Sequence, residues 1–128
     1  MNTEIPVLKE INKELPVPSV WRQSFKEIVQ AFETSDFELN TNSLNSVDTL
    51  KPKDAERIAT NIHDYGDLLA PLSEKTWEHS IYIWRDDYWD VLIDLSTLEQ
   101  GISDLVLFVK VTESTGDYRF TVEDVHVP

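Results

Sequence analysis

The chain of 128 residues has no cysteine, one methionine and only three glycines, and it sets 11 Lys and Arg against 24 Asp and Glu. Without cysteine there can be no disulfide, no thiolate metal site and no cysteine nucleophile, which fits a cytoplasmic setting. Gly66, Gly101 and Gly116 stand alone. A phosphate-cradling loop needs clustered glycines, so nucleotide binding of that kind is excluded. No G-x-S-x-G nucleophile elbow occurs. The longest apolar run, Leu105 to Val109, falls well short of the roughly 18 residues of a membrane span. The start, Met1-Asn2-Thr3-Glu4-Ile5-Pro6, lacks the basic and apolar regions of a signal peptide.

A surplus of negative charge replaces what is missing. The net charge is −13, and from Asp86 to Pro128 only Lys110 and Arg119 oppose ten acids. Such a field repels phosphate backbones and argues against nucleic acid as a partner. It attracts a basic protein and speeds association with it. It also serves simply to keep a small protein in solution, so charge alone does not choose between these readings. With 41% hydrophobic residues, 4 Trp, 5 Phe and 4 Tyr, the chain can build a packed core, and its length suits one domain over residues 1–128.

Residues 1–16 carry scattered apolar positions of no sustained period and read as a short, flexible arm or a poorly formed turn of helix, ended by Pro16 and Pro18. Trp21, Phe25, Ile28, Val29 and Phe32 then fall on one face of a helix expected over 18–33. The polar stretch from Thr34 to Leu50 holds one alternating piece, Phe37-Glu38-Leu39, that reads as an edge strand. A second helix is expected from Pro52 to Tyr65, with stripe Ala55, Ile58, Ala59, Ile62 and Tyr65, and Gly66 as its cap. Leu68, Leu69, Pro71 and Leu72 read as a buried connection.

From Thr76 onward the period is two. Trp77, His79, Ile81 and Ile83 alternate with Glu78, Ser80, Tyr82 and Trp84; Trp89, Val91, Ile93 and Leu95 alternate with Tyr88, Asp90, Leu92 and Asp94. Further strands are expected through Leu105–Val111 and Tyr118–Val127, joined by the turn Glu113–Asp117. The expected fold is therefore α+β, with two N-terminal helices packed on one face of a four-stranded antiparallel meander. The other sheet face is left at least partly open to water.

No catalytic constellation emerges. Asp90 and Asp94 share a strand face but stand roughly 13 Å apart by strand rise. That exceeds the roughly 5–9.5 Å of a glycosidase pair and is too far to hold one metal. Asp86 and Asp87 occupy an expected hairpin turn, where Asp is common for backbone reasons. His63, His79 and His126 have no chelating spacing to one another, although His79 and His126 could meet across the sheet. No cofactor and no metal are expected. The remaining constellation is aromatic and acidic: Tyr82, Trp84 and Tyr88, interleaved with Asp86, Asp87, Asp90 and Asp94. Tyr and Trp provide contact area with a polar handle, and acids beside them complement a cationic partner. The competing reading is a second small core in which these rings are covered.

The segment Glu14 to Gln23 with Phe25 to Val29, together with Tyr65-Gly66, Trp89 to Leu95 and Ser103 to Leu107, resembles an uncharacterised family of short bacterial proteins. That resemblance implies no activity. In size, acidity and α+β plan the chain is more loosely similar to bacterial immunity proteins, which neutralise a toxin by covering its active site. The resemblance implies a cytoplasmic binding protein, monomer or weak dimer, whose partner is a basic protein such as a nuclease-type toxin domain. The rival readings are a small enzyme with a pocket between helices and sheet, built for instance on His79 with a buried carboxylate, and a homo-oligomeric structural domain.

Overall fold

A computed structural model describes residues 4–40 and 46–128. The first helix, α1, spans Ser19–Glu33 and buries Trp21, Phe25, Ile28, Val29 and Phe32, the stripe its periodicity sets out. Pro18 precedes it in extended conformation, so its missing N–H is not needed by the helix. The second helix, α2, spans Pro52–Tyr65 with proline in its first turn. It stops where Gly66 adopts a φ of +88°, a left-handed conformation that costs glycine little, and returns its N–H to the carbonyl of His63 at 3.1 Å.

The expected edge strand at Phe37–Leu39 does not form. Phe37 stacks on Phe32 at 5.6 Å, and Leu39 turns to a φ of +58° with its side chain buried. This segment acts as a plug at the end of α1 instead of a strand.

The sheet is antiparallel but has six strands, which corrects the four-stranded meander. They are β1 (Glu14–Pro16), β2 (Leu69–Ala70), β3 (Ile81–Trp84), β4 (Trp89–Thr97), β5 (Gly101–Ser114) and β6 (Asp117–His126). The order is β1-β3-β4-β5-β6, and β2 pairs with the far end of β4. The two extra strands are three and two residues long, too short to carry a period of two, and β1 contains a proline.

The first long strand of the sequence reading also breaks in two. Glu74–Glu78 form a short 3₁₀ helix with Trp77 and Thr76 buried, and only Ile81–Trp84 enter the sheet. The reason is local hydrogen bonding. The Thr76 hydroxyl donates to the Asp94 carbonyl, while Ser80 Oγ donates to the Thr76 carbonyl and accepts from the Asp94 N–H at 2.9 Å. Side chains thus satisfy the β4 backbone where β3 does not reach.

The core lies between the helices and one sheet face, centred on Trp21. Its ring meets Tyr82, Trp89 and Tyr118 edge to face at 5.4, 5.2 and 5.4 Å. Each such pair adds about 0.5–1.5 kcal/mol beyond the area it buries. The N-terminal segment straps across this cluster. Leu8 N–H donates to the Tyr82 hydroxyl at 2.8 Å, Trp89 Nε1 donates to the Leu8 carbonyl at 3.0 Å, and Ile5 pairs with Ser19 in both directions. Beyond the strap, β1 pairs with β3.

Candidate functional site

Strand pairing decides which residues face outward. In the β3–β4 hairpin Trp84 opposes Trp89, Tyr82 opposes Val91, and Ile83 opposes Asp90. Directly opposed residues share a face, so Tyr82 and Trp84 join Trp89 and Val91 on the helix-covered side. Tyr82 is 1% exposed, and the Trp84 ring lies 4.6 Å from that of Trp89 with the Lys9 ammonium above it. Tyr82 belongs to the main core and Trp84 packs against it, not in a second small core on the opposite face, so the face expected for them from the sequence is inverted.

The seven candidate residues therefore divide three ways. Tyr82 and Trp84 are in or against the core. Tyr88, Asp90 and Asp94 lie on the open sheet face, half-buried. Asp86 and Asp87 are exposed in the hairpin turn, which the Arg85 N–H closes on the Tyr88 carbonyl at 2.7 Å. Asp86 holds a φ of +84° there, a conformation Asp and Asn tolerate better than most side chains.

The open face contains residues that the sequence reading assigned elsewhere or left aside. Pairings Ile83↔Asp90↔Lys110, Ile81↔Leu92↔Phe108↔Asp124 and Asp94↔Val106↔His126 run across it. Ile81, Ile83, Leu92 and Phe108 remain partly exposed, an apolar patch among carboxylates. A β-bulge between Phe108 and Val109 places Glu123 and Asp124 together at the β6 side.

The charges on this face perturb one another. Burial raises the carboxyl of Asp94 above its ordinary value, against the opposing charge of His79. Burial also raises Glu123, with Asp90 adding repulsion and Lys110 opposing it. Asp90 pairs with Arg85 at 2.9 Å, and the Lys110 ammonium lies 4.6 Å from the centre of the Tyr88 ring.

The histidines do not converge. His63 and His79 are exposed on their own elements, and His126 stacks on Phe108 at 4.5 Å with Nδ1 2.8 Å from Asp124. Asp94 and His126 have Val106 between them across the sheet. Among the described residues, no group of three His, Cys, Asp or Glu is placed to hold a metal ion. An open groove of about 290 Å³ lies between the 35–40 loop and α2, lined by Asp36, Phe37, Glu38, Ala55, Glu56 and neighbours and without a histidine.

Among the described residues, eight of the 11 Lys and Arg are already held inside the molecule. Lys9, Lys13, Lys26, Arg57, Arg85 and Arg119 form ion pairs. Arg22 donates to the Val17 carbonyl and covers the Trp77 ring, and Lys110 covers Tyr88. Each ion pair uses one acid as well, including Asp90 with Arg85 and Asp124 with Arg57, so the surplus of −13 is carried by the remaining carboxylates.

The chain belongs to the family described as "Domain of unknown function (DUF7668)", whose model matches residues 29–128. The match begins inside α1 and takes in α2 and strands β2 to β6. No curated protein and no solved structure matches the chain.

Proposed function

We propose that this protein is a binding module for a basic protein domain, acting as an immunity protein does when it covers a nuclease-type toxin. The contact is made by the open sheet face together with the Asp86–Asp87 hairpin. One observation carries this reading: partly exposed Ile81, Ile83, Leu92 and Phe108 sit among Asp90, Asp94, Glu123 and Asp124. An apolar centre rimmed by acids gives a cationic partner both area and charge complementarity. The surplus of −13 supports the same reading, and a separation of roughly 13 Å by strand rise between Asp90 and Asp94 suits separate surface charges rather than a paired catalytic site. On this account the protein works in the cytoplasm as a monomer or weak dimer, without nucleic acid, membrane or cofactor.

The test is to combine the protein with the product of the neighbouring gene and follow side-chain methyl and aromatic NMR signals. Perturbation concentrated at Ile81, Ile83, Leu92 and Phe108 is the expected result. A complex that leaves these side chains unperturbed, or the absence of any complex, overturns the proposal.

A further inference from the structure

At the end of β4 opposite the Asp86–Asp87 hairpin, about 26 Å away by strand rise, two leucines stand out of the surface side by side. Leu68 is 71% exposed and Leu98 is 65% exposed. They flank the β2–β4 pairing, in which Leu69 opposes Thr97, and the Leu98 N–H donates to the Leu68 carbonyl at 2.9 Å. Single exposed leucines are ordinary on protein surfaces, but a directly opposed pair held by a hydrogen bond is a formed apolar projection.

The projection is held in place. The Asp67 carboxylate accepts the N–H of Leu68 at 2.9 Å and of Glu99 at 3.1 Å, so one side chain fastens both loops. From below, the Tyr65 hydroxyl donates to Gln100 Oε1 at 2.8 Å and accepts the Asp104 N–H at 3.1 Å, which ties the β4–β5 hairpin to the end of α2. A loop fixed in this way loses little conformational freedom on binding.

The acids tied to this tip are Asp67 and Glu99, next to the two leucines in the chain, and Asp104, whose N–H the Tyr65 hydroxyl accepts; the chain carries no Lys or Arg from Ile58 to Glu74 or from Asp86 to Val109. Acids so placed repel an anionic bilayer and a second copy of the same tip, and they match a pocket rimmed by cations.

We infer that the Leu68–Leu98 tip is a second docking surface, which inserts into an apolar pocket of a partner protein rimmed by lysine or arginine. It goes beyond the open-face contact and stands without it, because it uses other residues at the other end of the sheet.

The probe is a helical peptide of leucine and lysine with one apolar stripe, titrated into isotopically labelled protein. A scrambled peptide of equal charge is the control. Saturable amide shifts centred on Leu68, Leu98 and Glu99 are expected with the amphipathic peptide. The double variant Leu68→Ser/Leu98→Ser should weaken binding at least tenfold while leaving the response to the scrambled peptide unchanged. Glu99→Lys keeps both leucines and should also weaken binding. Shifts spread over the acidic surface and insensitive to the leucine substitutions overturn the inference. So do self-association through the tip without peptide, and tip-dependent binding to phosphatidylcholine vesicles.

Discussion

The hydroxyl of Tyr82 accepts a hydrogen bond from the backbone N–H of Leu8 at 2.8 Å, closing a contact between positions 74 apart in sequence. This clasp turns an arm of irregular sequence into part of the fold, since the same strap also receives the Trp89 indole N–H. Tyr82→Phe keeps the ring in the core and removes this clasp together with the hydroxyl's bond to the Pro6 carbonyl at 3.3 Å. Stability should fall by about 1–2 kcal/mol, the cost of a lost hydrogen bond with a partner left behind. Hydrogen exchange at Leu8 should quicken more than at β4. Burial raises the phenols of Tyr82 and Tyr118 above their ordinary value, so the native state holds these protons more tightly than the unfolded chain. Stability should therefore decline as pH rises beyond about 10, and less steeply in Tyr82→Phe.

Trp84, expected from the sequence as a contact residue, should behave as a structural one. Its ring packs on Trp89 beneath Lys9. Trp84→Ala should cost about 2 kcal/mol, somewhat less than truncation of a fully buried tryptophan. Denaturant unfolding measures that loss, and the association rate with a basic partner should stay unchanged as long as the variant is folded.

On the acid side of neutrality a pH dependence follows from three carboxyls, Glu33, Asp94 and Glu123, that burial raises above their ordinary values. Between the unfolded value near 4 and the raised native value, the folded state carries more protons than the unfolded chain. Stability then increases as pH falls through that window, and relief of self-repulsion at −13 acts in the same direction. Thermal melts should move upward from pH 8 to about pH 5. A steady loss of stability over that interval contradicts this account.

Asp67 acts in the opposite sense. The Thr97 side chain first, opposed by burial, and then the N–H groups of Glu99 and Leu68, which donate to it at 3.1 and 2.9 Å, hold its carboxyl below the ordinary value. Its stabilisation is complete above the unfolded value and disappears as pH falls through the lower, native one. Asp67→Asn should lower the melting temperature at neutral pH and flatten the acid side of the profile.

The two main helices were legible because each has a complete apolar stripe and a clear stop, Gly66 in the case of α2. Strands β4, β5 and β6 were legible through their period of two. The short strands were not, because a pair such as Leu69–Ala70 is defined by its partner on β4 and not by its own pattern. The 3₁₀ helix at Glu74–Glu78 was hidden by an accidental alternation that ran on into β3. The inverted face of Tyr82 and Trp84 was recoverable in principle. A hairpin turn of Arg85 to Tyr88 makes Trp84 oppose Trp89, and that places Tyr82 beside Val91, on the core side. The site was thus half legible: its acids were in place, while its apolar centre at Ile81, Ile83, Leu92 and Phe108 had been assigned to the core or passed over.

The role of charge is tested by Asp86→Asn with Asp87→Asn. Asparagine keeps the shape and tolerates the positive φ at position 86, so the pair of substitutions removes charge with little change to the turn. Stability should remain within about 0.5 kcal/mol of the parent.

The most direct measurement of the central claim is the association rate with the protein encoded by the adjacent gene, recorded over a range of salt for the parent and for this double variant. A basic partner should associate quickly with the parent at low salt and more slowly as salt rises. The double variant should associate several-fold more slowly at low salt and approach the parent at high salt. No association, or a rate indifferent to both salt and the two substitutions, contradicts the claim that this acidic surface recognises a basic protein.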